Sequence, residues 1–292
     1  MQDENLTQQK DRRKVLHAVP MLDGIEEIKQ DLIETNTDGD IVYGIEILDD
    51  YVETIRKGTI TGITARPNTG KSLLSQIIAN NIGKQGKKVL ICSCEMGAGM
   101  LMERQILNLT GQSKYRLKQV YKYNQSQANF ILDSVRKSNE YDYLNNIAVS
   151  QTGGATVYDL IDLFNNTPEY EYIVVDYVQR IRGKGTEYEI ISNAVAELQA
   201  YARETGRRII LCSQGKRSGG KDSNTDAASQ SKGSGSMEED CDVGLLLSES
   251  DEDSEEKYIL MILYKNRFGK KKITYKYKLT DRLDFVLVDK VV

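Results

Sequence analysis

The chain has 292 residues, of which 28% are charged and 39% are hydrophobic, and its formal net charge is −4. This length and composition are ordinary for one large α/β domain or two small ones. No stretch approaches the ~20 consecutive apolar residues of a membrane span, and the polar N-terminus lacks the apolar region of a secretory signal. We therefore expect a cytoplasmic protein with no membrane partner. The acidic balance disfavours a histone-like binder but leaves room for a local basic surface.

Cysteine usage fits that compartment. Cys92 and Cys94 lie in one apolar run, and Cys212 and Cys241 lie in two other segments. No CxxC pair is present, and His17 is the single histidine, which makes a zinc site improbable. The four cysteines are interpreted as buried free thiols.

The first forty residues differ in pattern from the rest of the chain. Residues 1–20 are polar, whereas residues 22–34 place their apolar side chains on one side of a helix. Residues 36–40 (NTDGD) predict a turn and linker. We expect an N-terminal arm over 1–40 and one larger domain over 41–292. Amphipathicity alone leaves open whether the helix packs on its own domain or docks on a partner.

Strand-like and helix-like segments alternate after the arm. This alternation is typical of a mostly parallel sheet covered by helices. Three closely spaced β-prone runs near the C-terminus then predict an antiparallel meander. The predicted strands cover 59–65, 87–93, 146–150, 172–178 and 207–214, and the meander covers 258–264, 272–279 and 284–288. The predicted helices cover 73–82, 98–109, 126–137, 156–165 and 187–204.

The segment 215–236 interrupts this order. It has no large apolar residue and is rich in Gly, Ser and Lys. A loop of this length in a compact domain is usually functional or disordered. The acidic stretch 249–256 predicts a further turn.

A phosphate-binding loop is predicted at ARPNTGKS, between a strand and a helix. The segment fits G-x-x-x-x-G-K-[ST] except that Ala65 occupies the first Gly position. Loop amides and the N-terminus of the next helix are then expected to face the phosphates. Gly70 permits close backbone approach, Lys71 reaches the β- and γ-phosphates, and Ser72 ligates Mg²⁺. This feature predicts ATP or GTP binding with Mg²⁺ through Ala65, Arg66, Pro67, Asn68, Thr69, Gly70, Lys71 and Ser72.

Three further strand ends carry polar residues suited to this site. Asp176 ends a buried strand, as a Walker B carboxylate does. Glu95 follows the strand after the phosphate-loop helix and is the candidate to orient or deprotonate water. Gln214 ends another strand and is a candidate γ-phosphate sensor. Because parallel strands share one carboxyl edge, we expect Lys71, Glu95, Asp176 and Gln214 to meet there.

Taken in order, these motifs resemble the RecA-like motor domain of DnaB-type replicative helicases. The resemblance runs from about Tyr43 to about Phe285. In that family Ala is typical at the first phosphate-loop position, so Ala65 supports the match. The family's motifs are matched by GIEILD (44–49), ARPNTGKS (65–72), SCEM (93–96), DYVQ (176–179), Ser213–Gln214, GSGSMEEDCDV (233–243) and KNRFG (265–269).

The resemblance implies roles for single residues. Glu95 would be the catalytic glutamate, and Asp176 would hold Mg²⁺ through water. Lys265 and Arg267 would enter the ATP site of the neighbouring subunit and stabilise charge on the transferring phosphate. Without the family, Lys265 and Arg267 are two charges in a turn.

The resemblance also implies two central loops that contact DNA. The second loop matches 215–236, where the family's Arg-Glu pair is replaced by Lys-Gly, which leaves a point charge without a bidentate fork. The loop contains no aromatic residue, so contact is expected mainly with phosphates and without sequence preference. A solvent loop is the alternative. The implied contacts are Lys216, Arg217, Lys232, Gly233, Ser234 and Gly235 in this loop, and Arg182 and Lys184 in the other.

The function implied by the family is an ATP-dependent, 5′→3′ DNA helicase that acts on single-stranded DNA as a homo-hexameric ring. The family's N-terminal helical domain is not matched, which leaves a primase or loader partner open and would suit a phage or mobile element. The helix at 22–34 matches the linker helix that docks on the adjacent subunit. Two alternatives stay open. One is a filament-forming RecA/RadA-type recombinase or strand-binding ATPase, and the other is a non-motor scaffold or helicase-loading module.

Overall fold

The computed structural model describes the chain in three main stretches and a few N-terminal positions. These are residues 40–215, 240–250 and 258–291, with residues 21–23, 25, 26, 28, 29 and 33 near the N-terminus. The predicted arm over 1–20, nearly all of the loop 215–236 and most of the acidic turn 249–256 lie outside the described residues.

Contacts divide the chain into two units, Met1–Asp40 and Ile41–Val292. In the first unit, Met21–Asp23 forms a 3-10 turn and the described residues from 25 to 33 are helical. Their apolar side chains are exposed, namely Leu22, Ile25, Ile28 and Ile33.

The second unit is built on a sheet of nine strands among the described residues. Their order is β3-β2-β4-β5-β1-β6-β7-β8-β9. Neighbouring strands are parallel from β3 to β6 and antiparallel from β6 to β9. The predicted parallel sheet with an antiparallel C-terminal extension is therefore confirmed. The strands are β1 Ile60–Ala65, β2 Val89–Ser93, β3 Ile147–Gln151, β4 Tyr172–Asp176, β5 Arg208–Gln214, β6 Val243–Glu249, β7 Tyr258–Asn266, β8 Ile273–Leu279 and β9 Phe285–Val291.

Helices cover both faces of the parallel strands. None of the helices in the described part of the chain is long and apolar enough to cross a bilayer. The helices are α1 Glu46–Asp49, α2 Lys71–Lys84, α3 Ala98–Thr110, α4 Lys114–Tyr123, α5 Gln125–Lys137, α6 Val157–Asn165 and α7 Glu187–Thr205. Short 3-10 segments lie at Asn139–Asn146 and Val178–Arg180.

Strand β4 shows how the sheet separates two apolar cores. Tyr172 and Val174 pack in the core that contains α2 and the meander, whereas Ile173 and Val175 pack in the core that contains α6 and α7. Burial on both faces explains the continuous apolar run of this parallel strand. The strand ends at Asp176, short of the predicted residue 178, because a 3-10 turn begins at Val178.

Local capping explains where the two outer helices begin. Thr156 and Asp159 form a capping box at the start of α6, as Thr156 predicted, and Thr186 and Glu189 form another at α7. Helix α4 was not predicted. None of its residues is buried, and its short apolar pattern lies among charged residues, so the pattern did not single the helix out.

The cysteines mostly match their interpretation. None of the four forms a disulfide, and Cys92, Cys212 and Cys241 are buried. Cys94 is partly exposed, because it follows the carboxyl end of β2.

The motif GIEILD forms a tight turn at the start of the second unit. The backbone N–H groups of Tyr43 and Gly44 donate to Asp49 Oδ1 at 2.8 and 3.3 Å. Burial of the carboxyl raises the pKa of Asp49 to about 6, although these amide hydrogen bonds oppose the rise. Asp49 therefore closes the turn that precedes α1.

The same turn is joined to the C-terminal meander. The Tyr277 hydroxyl accepts from the Ile47 N–H at 3.2 Å, and the Tyr275 hydroxyl donates to Asp50 Oδ2 at 2.6 Å. Lys290 also donates to Asp50, and its hydrogen bond holds the pKa of Asp50 below its usual value. The first and last segments of the unit are thus tied together.

Asp49→Asn should change how stability depends on pH. The pKa of Asp49 is about 6 in the folded chain and about 3.9 in an unfolded one. Folding therefore favours the protonated carboxyl, and this contribution is lost as pH rises through 6. Asparagine keeps the acceptor oxygen without the charge. Urea midpoints should show the variant gaining stability relative to the parent between pH 5 and pH 7.5.

Asp50→Asn is the matched control for that comparison. The pKa of Asp50 is lowered, so its contribution has the opposite sign and is lost as pH falls. The role given to Asp49 is wrong if the difference between Asp49→Asn and the parent is the same at both pH values.

Candidate functional site

A cleft of about 590 Å³ lies at the carboxyl ends of the central parallel strands. Register brings these ends level, since Ala65 pairs with Gln214 and Ser93 pairs with Asp176. The lining residues include the loop 65–72 apart from Thr69, and also Glu95, Met96, Arg104, Tyr177, Arg180, Gln214, Leu279 and Leu283. The four strand ends predicted to meet are therefore grouped at one edge of the sheet.

The loop between β1 and α2 has the form that phosphate binding requires. Asn68 and Gly70 have positive φ angles of 67° and 99°, and α2 begins at Lys71. A Cβ on Gly70 would lie 2.8 Å from the Phe285 ring, so a side chain there would clash. Ala65 is fully buried between β5 and β6. The loop amides and the N-terminus of α2 are available to an anion.

An ion pair sits at the floor of the cleft. Lys71 Nζ lies 3.1 Å from Asp176 Oδ1, and the two side chains are only 11% and 10% exposed. The lysine nitrogen is also 3.9 Å from the centre of the Tyr177 ring. By geometry the contact is an ion pair without a hydrogen bond, because Asp176 Oδ1 has no hydrogen-bond partner among the described residues. A buried acceptor in this state is suited to an incoming ligand.

The oxygen donors beside this pair fit a magnesium ion. Mg²⁺ prefers hard oxygen ligands and usually binds through one or two protein groups, water and substrate phosphates. The Ser72 hydroxyl and the Asp176 carboxylate are such groups, and Ser72 lines the cleft. The described residues contain no group of three or more His, Cys, Asp or Glu side chains that would form a complete cage.

Glu95 reaches the cleft from just beyond β2 and is held there by two residues. Its Oε1 accepts from Arg180 Nη2 at 2.7 Å, from Arg180 Nε at 3.1 Å and from the Tyr177 hydroxyl at 3.0 Å. The hydrogen bonds from Arg180 keep the pKa of Glu95 below its usual value. Glu95 is thus ionised and oriented by the segment that follows Asp176.

Gln214 is fixed at the end of β5 by Gln179. The Gln179 amide donates to Ser213 Oγ at 2.8 Å and to the Gln214 carbonyl at 3.1 Å, and its oxygen accepts from the Gln214 N–H at 3.0 Å. Sequence reasoning gave Gln179 no role beyond the DYVQ motif. The available sequence signal for this role was the side-chain amide of Gln179, three residues after Asp176.

Arg104 is a site residue that sequence reasoning missed. It projects from α3 into the cleft, and its buried Nη1 has no hydrogen-bond partner among the described residues. Burial lowers the pKa of Arg104, while the charge of Asp176 acts in the opposite direction. A guanidinium in this position is suited to a phosphate oxygen. The apolar spacing of α3 concealed it in the sequence.

Lys265 and Arg267 lie away from the end of β1 that carries this chain's phosphate loop. Register puts Lys265 level with Gly62, about 10 Å from the end of β1, and Arg267 level with Ile60, about 17 Å from it, at ~3.3 Å per residue. Arg267 Nη1 is 2.8 Å from Asp242 Oδ1, and the arginine side chain is 47% exposed. The structure does not bring either cation into the cleft of its own subunit.

The two predicted DNA loops are described unequally. Arg182 and Lys184 are exposed in the segment between the 3-10 turn Val178–Arg180 and α7. The Arg182 N–H donates to the Ala155 carbonyl at 2.8 Å. Gly215, whose N–H donates to the Ala65 carbonyl at 2.9 Å, leads from the cleft into the second loop. Lys216, Arg217, Lys232, Gly233, Ser234 and Gly235 lie outside the described residues.

Comparisons with known proteins identify relatives of this chain. A protein named "Replicative DNA helicase DnaB" from Geobacillus stearothermophilus is 28% identical over 271 residues, which cover 84% of this chain and 58% of that protein. A "Probable plasmid replicative DNA helicase" from Chlamydia trachomatis is 29% identical over 223 residues, 72% of this chain and 47% of that protein. The chain spans about half the length of these curated relatives.

A solved structure and a family model complete the comparison. A solved structure of an ATPase domain superposes with a TM-score of 0.76 at 21% identity, covering 94% of this chain and all of that one, which shows the shared fold. The family model described as "DnaB-like helicase C terminal domain" matches residues 40–282, most of the second unit. This chain belongs to the DnaB-like helicase C-terminal domain family.

Proposed function

We propose that the chain is the ATP-hydrolysing motor of a homo-hexameric replicative DNA helicase that moves 5′→3′ on single-stranded DNA. The observation that carries the proposal is the division of the catalytic groups. Lys71, Asp176 and Glu95 are grouped at one cleft, whereas Lys265 and Arg267 are outside its lining and lie towards the other end of the sheet. Family membership supports the same reading. The cleft lacks only the two cations that a neighbouring subunit would supply. Such a site suits an enzyme that hydrolyses ATP only when its subunits are assembled.

Within the cleft, different residues of this chain bind the phosphates, hold the metal ion and activate the water. Loop amides and Lys71 bind the phosphates, and Arg104 supplies a second cation from α3. Ser72 and Asp176 hold Mg²⁺, which neutralises phosphate charge when bound. Glu95 orients the attacking water and takes its proton.

The γ-phosphate is monitored from β5. Gln214 lies at the end of that strand and lines the cleft, and Gln179 clamps its backbone in place. Because the backbone of Gln214 is held in place, its side chain can lose its contact with the γ-phosphate when that phosphate leaves. We assign Gln214 as the sensor of that step and Gln179 as the residue that positions it.

Hydrolysis is completed by the neighbouring subunit in this proposal. Lys265 and Arg267 of one subunit approach the cleft of the next and stabilise charge on the transferring phosphate. Arg267 is tied to Asp242 yet half-exposed, so its guanidinium is held in place while remaining accessible. Such an arrangement makes turnover depend on the ring.

DNA is bound through its backbone phosphates. Arg182 and Lys184 supply exposed positive charge from one loop. The second loop contributes Lys216, Arg217, Lys232, Gly233, Ser234 and Gly235. Contacts of this kind are blind to sequence and weaken steeply with salt.

Two apolar surfaces support assembly through the N-terminal helix. The described part of that helix exposes Ile25, Ile28 and Ile33. A groove of about 320 Å³ between α3, α4 and α5 is apolar at its centre, with Leu117 and Leu132 among its lining, and carries Lys114 and Lys118. The segment 22–34 is mostly acidic in its charges. We propose that the helix of one subunit occupies the groove of the next.

Unwinding of a forked DNA with each single-stranded tail removed in turn tests the function. We expect ATP-dependent strand separation that is lost when the 5′ tail is removed, because the ring loads on that tail. Dependence on the 3′ tail alone contradicts the polarity. ATP turnover without unwinding supports the scaffold or loading module, and filaments in negative-stain images with ATP and DNA support a recombinase.

Glu95→Gln should separate nucleotide binding from hydrolysis. The amide cannot accept the proton of water, so turnover should fall by roughly 10²-fold or more. Binding of a fluorescent ATP analogue should persist, whereas Lys71→Ala should weaken that binding by removing charge from the phosphates. Glu169→Gln changes an exposed carboxylate outside the cleft and serves as the control. Unchanged turnover in Glu95→Gln rejects its catalytic role.

A further inference from the structure

Arg180 connects the candidate catalytic glutamate to a DNA loop. It is the last residue of the 3-10 turn Val178–Arg180, four residues after Asp176. Its guanidinium donates twice to Glu95 Oε1, and its Nε also donates to the Tyr177 hydroxyl at 3.0 Å. The side chain is nonetheless 56% exposed. An incoming group can therefore reach this guanidinium from solvent.

The pairing occupies one of the two carboxylate oxygens of Glu95. All three hydrogen bonds end on Glu95 Oε1, two from Arg180 and one from Tyr177. A carboxylate that takes a proton from water needs an accessible acceptor and enough basicity. A bound guanidinium reduces both the accessibility of Glu95 Oε1 and the basicity of the carboxylate. The paired state is therefore a restrained form of Glu95.

The segment after Arg180 carries the cations assigned to DNA. Ile181 is buried and anchors the chain, and the exposed residues Arg182 and Lys184 follow within four positions. Arg180 precedes Arg182 by two residues, at most ~7 Å of extended chain, so a strand bound at these two side chains would bring a backbone phosphate close to Arg180. Guanidinium binds phosphate oxygens with the same forked geometry as carboxylate oxygens.

We propose that Arg180 is a positioning residue that holds Glu95 out of catalysis until a phosphate of the DNA backbone takes its guanidinium. The inference rests on the proposed function, since it needs Glu95 as the catalytic carboxylate. It goes further by naming the contact through which DNA controls hydrolysis. Tyr177 stays against Lys71 and Glu95 and limits how far the released carboxylate moves.

Steady-state ATP hydrolysis with and without single-stranded DNA tests the proposal. The proteins compared are the parent, Arg180→Ala, Arg180→Lys and the control Arg136→Ala, which removes an exposed arginine in the last turn of α5. In Arg180→Ala, kcat without DNA should rise about fivefold, the scale of one exposed charge-assisted pair. The stimulation by DNA should fall towards one, with a smaller change in KM.

The lysine variant separates charge from geometry. Arg180→Lys keeps a cation that reaches Glu95 through a single contact, so it should restore part of the low basal rate and part of the stimulation. Arg136→Ala should match the parent in both measurements. A folding defect would lower the rate in both conditions and would not alter the ratio between them.

Two outcomes overturn the proposal. If Arg180→Ala lowers kcat equally with and without DNA while its urea midpoint matches that of the parent, Arg180 supports the active position of Glu95. If basal rate and stimulation are both unchanged, the ion pair has no part in control. A parent protein without ATP turnover contradicts the proposed function as well, whereas an active parent with an unchanged ratio in Arg180→Ala contradicts only the inference about Arg180.

Discussion

The ion pair between Lys71 and Asp176 is the contact around which the cleft is organised. Both side chains are largely removed from water, and each charge is tolerable because the other lies 3.1 Å away. The two residues come from neighbouring parts of one sheet edge, so the pair forms only when β1 and β4 are in register with β5 between them. In the proposed function, a bound nucleotide and its Mg²⁺ would take over the contacts of Lys71 and Asp176 with each other.

The parallel sheet explains why so many polar groups converge on that pair. Strand β4 is buried on both faces, which leaves its carboxyl end as the place where a polar side chain meets solvent. Gln214 ends β5 and Glu95 follows β2, so both residues lie at the carboxyl edge of the same sheet. The antiparallel extension adds the other wall, because Leu279 and Leu283 from the β8–β9 turn line the cleft and Phe285 abuts Gly70.

Motifs at strand ends were the part of the site that the sequence predicted well. Lys71 and Asp176 are found by spacing because a strand, a turn and a polar residue are local features. Arg104 and Gln179 were missed since their roles depend on what approaches them in three dimensions. The ion pair of Arg180 with Glu95 joins residues 85 positions apart, and no local pattern encodes it. Helix α4 was missed for a different reason, because its residues are all at least partly exposed and its apolar pattern is weak.

The cleft of a single chain contains only part of the proposed catalytic machinery. Register alone separates Arg267 from its own phosphate loop, so the proposed site would need two subunits to be complete. Control by DNA through Arg180 would act on the Glu95 side of that shared site. The assembly is therefore the unit of function in this account, and each subunit supplies one half of two different sites.

Mixing two inactive variants tests this central claim most directly. Arg267→Ala keeps an intact phosphate loop, and Lys71→Ala keeps an intact arginine, so a mixed ring contains complete sites at about a quarter of its interfaces at equal proportions. The mixture should show ATP turnover that neither variant shows alone, and this turnover should peak at intermediate ratios. Turnover equal to the sum of the separate variants at every ratio, with mixed rings demonstrated by co-purification of differently tagged subunits, would contradict a site shared between subunits.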